Sequence, residues 1–323
     1  MTQETAIAFR SWMPPSPVAR SLPVLRPFLK WAGGKRQLLP ELRRFVPPVI
    51  VGYHEPFLGS GALFFDLSKT GDLRGIPCRL GDANADLIGV YRAVAHDTDA
   101  VITELRALAA LHGRHGADAY YQVRDQRFNP QRRARLAEGG EVYSPALAAM
   151  FIYLNRTGYN GLFRLNSRGD FNVPAGRYRN PKVCDEATLR SAAAVLGSAH
   201  VTLEVRSFTE VDGIAAPGDL LYFDPPYAPL SATSRFTSYT AATFSDDDQR
   251  TLQALVVRLA ARGCSVIVSN STAPLVGDLY EAREARQAGL STYRIPARRA
   301  INSRVAGRGA VEEFVISNVR PRD

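Results

Sequence analysis

Residues 53–67, YHEPFLGSGALFFDL, carry the pattern of a strand, a tight turn and a helix. Gly59 and Gly61 fall at the predicted turn, where a residue without a side chain lets the backbone approach a ligand closely. A single G-x-G is most often only a tight turn. This stretch therefore predicts a strand-to-helix unit, and a cofactor role for Gly59 needs support from elsewhere in the chain.

That support comes from an acidic residue at the end of the next predicted strand. Residues 78–80 indicate a short strand that ends in Gly81-Asp82, and Asp82 lies 21 residues after Gly61. Rossmann-like folds place an acid near this spacing, where it binds ribose hydroxyls. The third glycine of the dinucleotide fingerprint and a Walker lysine are both missing. A nucleoside cofactor without a pyrophosphate, S-adenosylmethionine, therefore fits better than NAD or ATP.

Strand and helix signals alternate on both sides of a central stretch. The predicted elements, besides those above, are helix 86–94, strands 201–205, 220–223 and 265–269, and helix 246–262, which ends at Gly263. Alternation of this kind predicts an α/β fold with a mostly parallel, Rossmann-like sheet.

The central residues 92–183 lack this alternation and have helical patches, many arginines and a glycine-rich polar loop at 155–180. We expect them to form a mainly helical domain inserted into a catalytic domain made of residues 25–91 and 184–323. Residues 1–24 contain four prolines that preclude a helix, and they predict a flexible tail or a wrapped arm.

The overall charge indicates a polyanionic partner. The formal net charge is +9, which favours nucleic acid, although a general contribution to solubility is the alternative. Three scattered cysteines are typical of reduced thiols in a cytoplasm. No apolar run approaches the roughly 20 residues that span a bilayer, and the start of the chain lacks a signal-peptide pattern. We expect a cytoplasmic, nucleoid-associated protein with no membrane contact and no obligatory protein partner.

Residues 220–230, LLYFDPPYAPL, place an aspartate at the end of a buried strand. Pro225 and Pro226 restrict the backbone around Asp224 and remove amide donors, which leaves the Asp224 carboxylate and the Pro225 carbonyl as acceptors. Two adjacent acceptors suit a primary amine such as the exocyclic amine of adenine, and Tyr227 can stack on a purine. The alternative, an ordinary Asp-Pro-Pro turn, loses weight because EPFLGSG and Asp82 precede it in order.

Residues 28–42, FLKWAGGKRQLLPEL, supply Trp31 and Lys35 beside two glycines. Alone, they are best explained as a core aromatic and a surface charge at a helix start. Beside a cofactor crevice, they can provide packing and a cation for a methionyl carboxylate.

The motifs FLKWAGGK, EPFLGSG, GDANADL and DPPY, in that order, resemble those of Dam-type (D12 class, alpha group) DNA N6-adenine methyltransferases, as do the longer segments LNRTGYNGLFRLNSRGDFNVPAGRY and DPPYAPLSATSRFTSYTAATF. The resemblance covers residues from about 25 to 320. It implies methyl transfer from S-adenosylmethionine to adenine N6 in double-stranded DNA, within GATC and with base flipping. A restriction-modification system, a phage and a housekeeping or regulatory pathway all stay open as its setting.

The resemblance also implies a role for individual residues. The catalytic set is Asp224, Pro225 and Tyr227. The methyl-donor site is formed by Trp31, Lys35, Phe57, Gly59, Asp82 and Asp224. The target sequence is read by Lys30, Tyr159, Asn160, Leu162, Arg164 and Pro174, and phosphates are bound by Arg124, Asn166, Asn172 and Arg177. No metal is implied.

The residue types agree with these roles. Arg164 suits a bidentate contact with guanine, worth roughly 1–3 kcal/mol in discrimination, and Tyr159 suits a wedge in the base stack. Leu162 and Pro174 can meet a thymine methyl group. For each residue alone, a solvated loop position or a packed aromatic is the simpler explanation, but all of them lie in one loop of about 25 residues.

Two groups of residues have no assigned role. A basic run is either a solvated helix face or an extra phosphate contact; it consists of Arg127, Arg132, Arg133 and Arg135. Near the C-terminus, Arg298, Arg304 and Arg308 are generic DNA-contact candidates. His112 and His115 predict a polar loop and not a metal site.

Two rival functions remain at this point. A methyltransferase of RNA adenine or of protein glutamine would share the (N/D)PPY corner, and the recognition-loop resemblance argues against it. A non-catalytic DNA-binding protein could retain the fold, but the intact Asp224-Pro225-Pro226-Tyr227 and Asp82 disfavour that alternative.

Overall fold

The fold is a mixed α/β fold built on one seven-stranded sheet. A computed structural model describes residues 25–31, 35–137, 143–229, 244–298 and 310–322 of the 323. The predicted tail at 1–24 and the candidates Arg304 and Arg308 lie outside these residues, and of Arg298 only the backbone is described. The strands are Tyr53–Glu55 (β1), Cys78–Asp82 (β2), Val201–Val205 (β3), Leu220–Phe223 (β4), Ser265–Ser271 (β5), Ser291–Arg298 (β6) and Ala310–Ser317 (β7).

The strand order is β3-β2-β1-β4-β5-β7-β6. The first five strands are mutually parallel, and β7 lies antiparallel between β5 and β6. The predicted Rossmann-like α/β fold is confirmed. Because β1 lies between β2 and β4, the carboxyl ends of these three strands share one edge of the sheet, where open α/β sheets bind ligands.

Ten α-helices are assigned within the described part of the chain. They are Leu39–Arg43 (α1), Ala62–Thr70 (α2), Ala85–His96 (α3), Thr98–Gln122 (α4), Asn129–Ala137 (α5), Pro145–Thr157 (α6), Glu186–Leu196 (α7), Asp246–Ala261 (α8), Pro274–Glu281 (α9) and Arg283–Gln287 (α10). None of the helices in the described ranges is long and apolar enough to cross a membrane.

The turn between β1 and α2 depends on its glycines. Gly59 and Gly61 have φ values of +48° and +64°, a region that residues with a side chain rarely adopt, and Gly61 immediately precedes α2. The predicted strand, turn and helix are confirmed. At α8, Ser245 forms a reciprocal capping box with Asp248, and Gly263 follows the helix with φ +95°, as predicted.

Two buried clusters pack on the sheet. One joins residues of β1 and β2 to α2, α3, α4 and α6, and the other joins β4 and β5 to α8 and α9. The helices of the central stretch therefore share a core with the sheet, and the division into two domains stays a prediction. The predicted polar loop at His112 and His115 is wrong, because both residues lie in α4, where His112 Nδ1 is 2.9 Å from the Tyr153 hydroxyl.

Candidate functional site

Three acidic residues lie at the carboxyl edge of the sheet. Glu55 ends β1, Asp82 ends β2 and Asp224 directly follows β4. Burial raises the pKa of Glu55, and the charges of Asp224 and Asp82 add to that rise. The topology thus brings together residues that lie as far as 169 positions apart in the sequence.

Asp82 is fixed by the glycine turn. Its Oδ2 accepts a hydrogen bond from Gly59 N at 3.1 Å, and its Oδ1 accepts one from Asn84 N at 2.9 Å. Burial raises the pKa of Asp82, and these two backbone donors oppose the rise. Each carboxylate oxygen keeps a lone pair for a further donor, such as a ribose hydroxyl.

Trp31 lies directly against the glycine turn. A Cβ atom on Gly59 would be 3.0 Å from Trp31 Cδ1, so a larger residue would crowd the indole. Tyr91 closes the other side by donating its hydroxyl to the Gly59 carbonyl at 3.1 Å. The indole also stacks on Phe163 with ring centroids 6.1 Å apart, which joins this crevice to the glycine-rich loop.

Phe57 forms the apolar wall of the same edge. It stacks on Phe208 with centroids 5.2 Å apart and meets Phe223 and Phe244 edge-on, at 6.5 and 5.7 Å. An aromatic wall beside a carboxylate that can bind ribose is a suitable surface for a purine ring.

Asp224 forms an ion pair with Lys35. Lys35 Nζ is 2.8 Å from Asp224 Oδ1, and the side chains are 4% and 21% exposed respectively. The same ammonium lies 4.4 Å from the centre of the Tyr227 ring. Burial raises the pKa of Asp224, whereas the charge of Lys35 and its hydrogen bond lower it. The arrangement is a nitrogen cation held by a carboxylate above an aromatic face.

The backbone after Asp224 is held by buried polar side chains. Gln249 Nε2 donates to the Pro226 carbonyl at 3.1 Å, and Asn270 Nδ2 donates to Gln249 Oε1 at 2.9 Å. Ser271 Oγ donates to the Ala228 carbonyl at 2.6 Å. These side chains come from α8 and β5, so the two proline residues are not the only constraint on this corner.

Tyr227 is anchored at its hydroxyl. It donates to Glu313 Oε2 on β7 at 2.5 Å. Burial and the neighbouring carboxylates Asp224 and Glu313 raise the pKa of Tyr227, so the hydroxyl stays protonated and remains a donor. The Tyr227 ring is thereby held by a strand that lies two positions from β4 in the sheet.

Glu55 is buried beneath this edge. Its Oε2 accepts a hydrogen bond from the Tyr53 hydroxyl at 2.7 Å. Burial, opposed by that hydrogen bond and reinforced by the charge of Asp224, raises its pKa to about 8. Glu55 was not among the predicted site residues.

Lys30 and the loop after α6 are connected by Asn155. The Asn155 side chain accepts from Lys30 N at 2.8 Å and donates to the carbonyls of Lys30 and Gly161 at 2.7 and 3.0 Å. Lys30 Nζ donates to the Arg156 carbonyl at 3.3 Å and lies 4.1 Å from the Tyr178 ring centre. Lys30 therefore lies beside the predicted base-reading loop although it is distant in sequence.

Tyr159 projects from the tip of this loop. It is 47% exposed, and the next residue, Asn160, has φ +53°. Tyr159 N donates to the Pro174 carbonyl at 2.9 Å, which brings Pro174 next to the tip. Leu162, in contrast, packs partly buried against the core.

Arg164 and Asn172 face each other. Arg164 Nε donates to Asn172 Oδ1 at 2.8 Å, and both lie in a short hairpin that also contains the exposed Asn166. Arg177 is exposed. Arg124 is more enclosed. Its side chain is 17% exposed, and its guanidinium pairs with Asp125 and donates to the Val173 carbonyl at 3.0 Å.

Two members of the basic run depart from both predicted alternatives, whereas Arg127 is partly exposed and Arg133 is exposed. Arg132 and Arg135 are buried and pair with Asp86 at 2.7 and 3.4 Å, so they are neither a solvated face nor available to phosphate. Arg133 is half exposed and pairs with Asp170. No local pattern could have indicated these pairs, because the partner carboxylate lies 46 residues before Arg132.

No group of three or more metal-ligating side chains occurs among the residues that the structure covers.

Comparison with known proteins agrees with this geometry. The profile of the D12 class N6 adenine-specific DNA methyltransferases matches residues 31–300. The Type II methyltransferase M1.LlaDCHI of Lactococcus lactis subsp. cremoris is 37% identical over 294 residues, which cover 91% of this chain and 95% of that protein.

Two further relatives are similar over nearly their whole length. The Type II methyltransferase M.MjaIII of Methanocaldococcus jannaschii is 38% identical, covering 91% of this chain and 99% of its own. The DNA adenine methylase of Escherichia coli (strain K12) is 37% identical, covering 90% and 94%. The chain therefore belongs to the D12 class N6 adenine-specific DNA methyltransferase family.

Proposed function

We propose that this adenine-specific DNA methyltransferase modifies adenine N6 within GATC in double-stranded DNA, after the target base has left the helix. Membership of the family implies S-adenosylmethionine as methyl donor. The observation that carries the proposal is the position of Lys35 Nζ, 2.8 Å from Asp224 and 4.4 Å from the Tyr227 ring centre. We propose that adenine N6 occupies similar surroundings, in which it donates to Asp224 while the adenine ring stacks on Tyr227.

The donor's methyl carbon, bound to a sulfonium sulfur, is the electrophile of the reaction. For the rest of the donor, Asp82 has free lone pairs for ribose hydroxyls, and Gly59 and Trp31 lie beside it, where a glycine without a side chain leaves the backbone open to a ligand. Phe57 offers a ring for the purine. Lys35 can neutralise the methionyl carboxylate, which requires it to move away from Asp224.

The corner acts by accepting hydrogen bonds. When the Asp224 carboxylate and the Pro225 carbonyl accept both amine hydrogens, the nitrogen lone pair is drawn out of conjugation and directed at the methyl carbon. Positioning and electrostatics are the main contributions, and base removal of a proton before attack is unnecessary. The bond from the sulfonium sulfur to the methyl carbon would break with its electron pair on sulfur, so the donor would leave as a neutral thioether, and the amine proton would then leave through Asp224 or water.

DNA contacts are proposed for the loop and its neighbours. Base reading is assigned to Lys30, Tyr159, Asn160, Leu162, Arg164 and Pro174, and phosphate binding to Arg124, Asn166, Asn172 and Arg177. The exposed Tyr159 suits insertion into the stack that a flipped base leaves behind. Arg124 has to exchange its bonds to Asp125 for a phosphate, whereas Arg177 is already exposed.

Methylation mapping tests this function. Purified protein, S-adenosylmethionine and a DNA of known sequence are incubated, and every N6-methyladenine is then located by sequencing. The expected result is modification of the adenine in GATC sites alone. Methylation confined to another sequence would contradict the specificity, and label transferred only to RNA or protein would contradict the substrate.

A further inference from the structure

A short hairpin carries three of the proposed DNA contacts. This recognition hairpin, residues 164–172, is closed by backbone hydrogen bonds from Asn166 N to the Asp170 carbonyl at 2.9 Å and from Asn172 N to the Arg164 carbonyl at 3.1 Å. A third backbone bond runs from Gly169 N to the Asn166 carbonyl at 2.9 Å. Three such bonds and one bridge do not make a stable hairpin in water on their own. Its geometry must therefore be set by what it packs against.

Asn129, the first residue of α5, binds the backbone N–H and the backbone carbonyl of Phe171 in the hairpin. Its Nδ2 donates to the Phe171 carbonyl at 3.0 Å, and its Oδ1 accepts from Phe171 N at 2.9 Å. The Asn129 amide thus makes the two backbone hydrogen bonds that a neighbouring strand would make with Phe171. The next residue is Asn172, whose side chain orients the Arg164 guanidinium.

Arg132, one turn further along α5, holds the other end of the hairpin. Its Nη1 donates to the Gly169 carbonyl, while Nε and Nη2 bind the Asp86 carboxylate at 2.8 and 2.7 Å. Asp86 belongs to the first turn of α3, which Asn84 caps. Arg132 therefore fastens the hairpin to the helix that follows the proposed ribose-binding strand.

Neither side chain is available to DNA. Asn129 and Arg132 are 5% and 6% exposed, and the contacts above satisfy them. A buried ion pair of this kind adds little net stability compared with apolar residues of the same size, whereas it fixes geometry strictly. The arrangement suits a role in orientation better than a role in stability.

We propose that Asn129 and Arg132 are positioning residues for sequence discrimination. They hold the recognition hairpin at the angle at which Arg164 meets a base edge, although they touch no nucleotide. This inference rests on the proposed DNA-reading role of the hairpin. It predicts that loosening the hairpin lowers activity on the correct site and leaves activity on an altered site unchanged.

The test compares Asn129→Ala with Gln131→Ala, an exposed position on the same helix. For each protein, kcat/KM is measured on a duplex with the mapped target site and on one with a single base pair changed. For Asn129→Ala we expect kcat/KM on the target duplex to fall about ten-fold, near the value of one misplaced bidentate base contact, and to stay unchanged on the altered duplex. The control should keep the wild-type ratio.

Two further measurements keep the test decisive. Arg132→Lys serves as the test if Asn129→Ala does not fold. It retains the charge of Arg132 but loses the planar guanidinium with its several donors, so it should lose discrimination between the two duplexes in the same way. The ratio of Kd values for the two duplexes needs no methyl transfer, so it separates this inference from the proposed reaction. Equal losses on both duplexes, or a ratio of Kd values that the folded variants leave unchanged, would overturn the inference.

Discussion

In the proposed reaction, the Asp224 carboxylate accepts hydrogen bonds first from the Lys35 ammonium and then from the amine of the target adenine. The carboxylate is kept in a pocket whose low polarity disfavours its charge, and Lys35 compensates for that cost. The adenine amine donates hydrogen bonds without carrying a full charge. When it replaces the Lys35 ammonium, the negative charge of Asp224 is no longer neutralised by a cation. The accepting power of Asp224 is thus the property on which turnover depends.

Replacing Asp224 by Asn tests that property at almost constant shape. Because an amide NH₂ donates where the carboxylate accepts, we expect kcat to fall by at least about a hundred-fold, comparable with the loss of an electrostatic contact in other active sites. Steady-state methylation of the mapped duplex measures this, and DNA affinity should change little. Asp247→Asn, at a 94% exposed carboxylate, is the control. A turnover near wild type would refute the assigned role.

Glu55 predicts a pH dependence of stability. Its pKa is about 8 in the folded protein and 4.5 for a free glutamate side chain, so the folded state holds the extra proton between these values. The contribution of Glu55 is fully present below pH 4.5 and is lost as the pH rises through 8.

Denaturant unfolding of wild type and Glu55→Gln at about pH 6 and about pH 9, on either side of the raised pKa, measures this contribution. We expect the free energy of unfolding of the wild type to fall relative to that of the variant between the two pH values. Titrating groups that do not interact with Glu55 cancel in the difference. A difference that is the same at both pH values would mean that Glu55 titrates normally.

At the scale of elements, the catalytic corner depends on three of them besides its own strand. The loop after β4 is held by α8 through Gln249, by β5 through Asn270 and by β7 through Glu313. Glu313 on β7 thus positions the ring of Tyr227, which lies 86 residues earlier in the sequence.

Gln249 and Gln253 provide a matched pair to test this. Both are buried on α8 and both donate to a carbonyl at 3.1 Å, but Gln249 binds Pro226 in the catalytic loop and Gln253 binds Leu279 in α9. Each change to Ala should cost about 1–3 kcal/mol of unfolding free energy, because a buried group loses its partner.

Only Gln249→Ala should also lower kcat, by several-fold, since only that change frees the loop. Thermal unfolding and single-turnover methylation measure the two effects separately. If Gln249→Ala and Gln253→Ala had equal kcat values, the hydrogen bond from Gln249 to the Pro226 carbonyl would contribute to stability alone.

The predicted elements were those with strong local signals. Strands β3 and β4 have the predicted ends, and α8 has the predicted cap, because apolar runs, a serine cap and terminal glycines act within a few residues. Strands β6 and β7 were not predicted. They pair antiparallel at the sheet edge across a connection that spans 299–309, so no local pattern indicates them.

At the scale of the whole molecule, the site combines residues that only the topology brings together. The motif residues Trp31, Lys35, Asp82 and Asp224 were named from the sequence because each lies in a recognisable stretch. The supports Asn129 and Glu313 were not named, and Arg132 was named only as part of a solvated face or as a phosphate contact, since a buried polar side chain reveals its role only through its partner. The pair of Arg132 with Asp86 is of this kind.

The net charge of +9 leads to a prediction about salt. If Arg177 binds a phosphate, Arg177→Ala should flatten the plot of log Kd against log salt by about 0.9, the value for one released counterion. Titrations of duplex DNA at several salt concentrations measure this slope. Arg74→Ala changes an exposed arginine that precedes β2, at the opposite edge of the sheet, and should leave it unchanged. An unaltered slope for Arg177→Ala would exclude the phosphate contact.

The distance from the target amine nitrogen to the Asp224 carboxylate shows whether Asp224 accepts a hydrogen bond from the flipped adenine. It can be measured in a crystal structure of the protein with a methyl-donor analogue and a duplex that contains the mapped site. We predict that the adenine lies outside the helix, over the Tyr227 ring, with N6 within about 3.2 Å of the Asp224 carboxylate. An adenine that remains stacked in the duplex, with Asp224 still paired to Lys35 alone, would contradict the account.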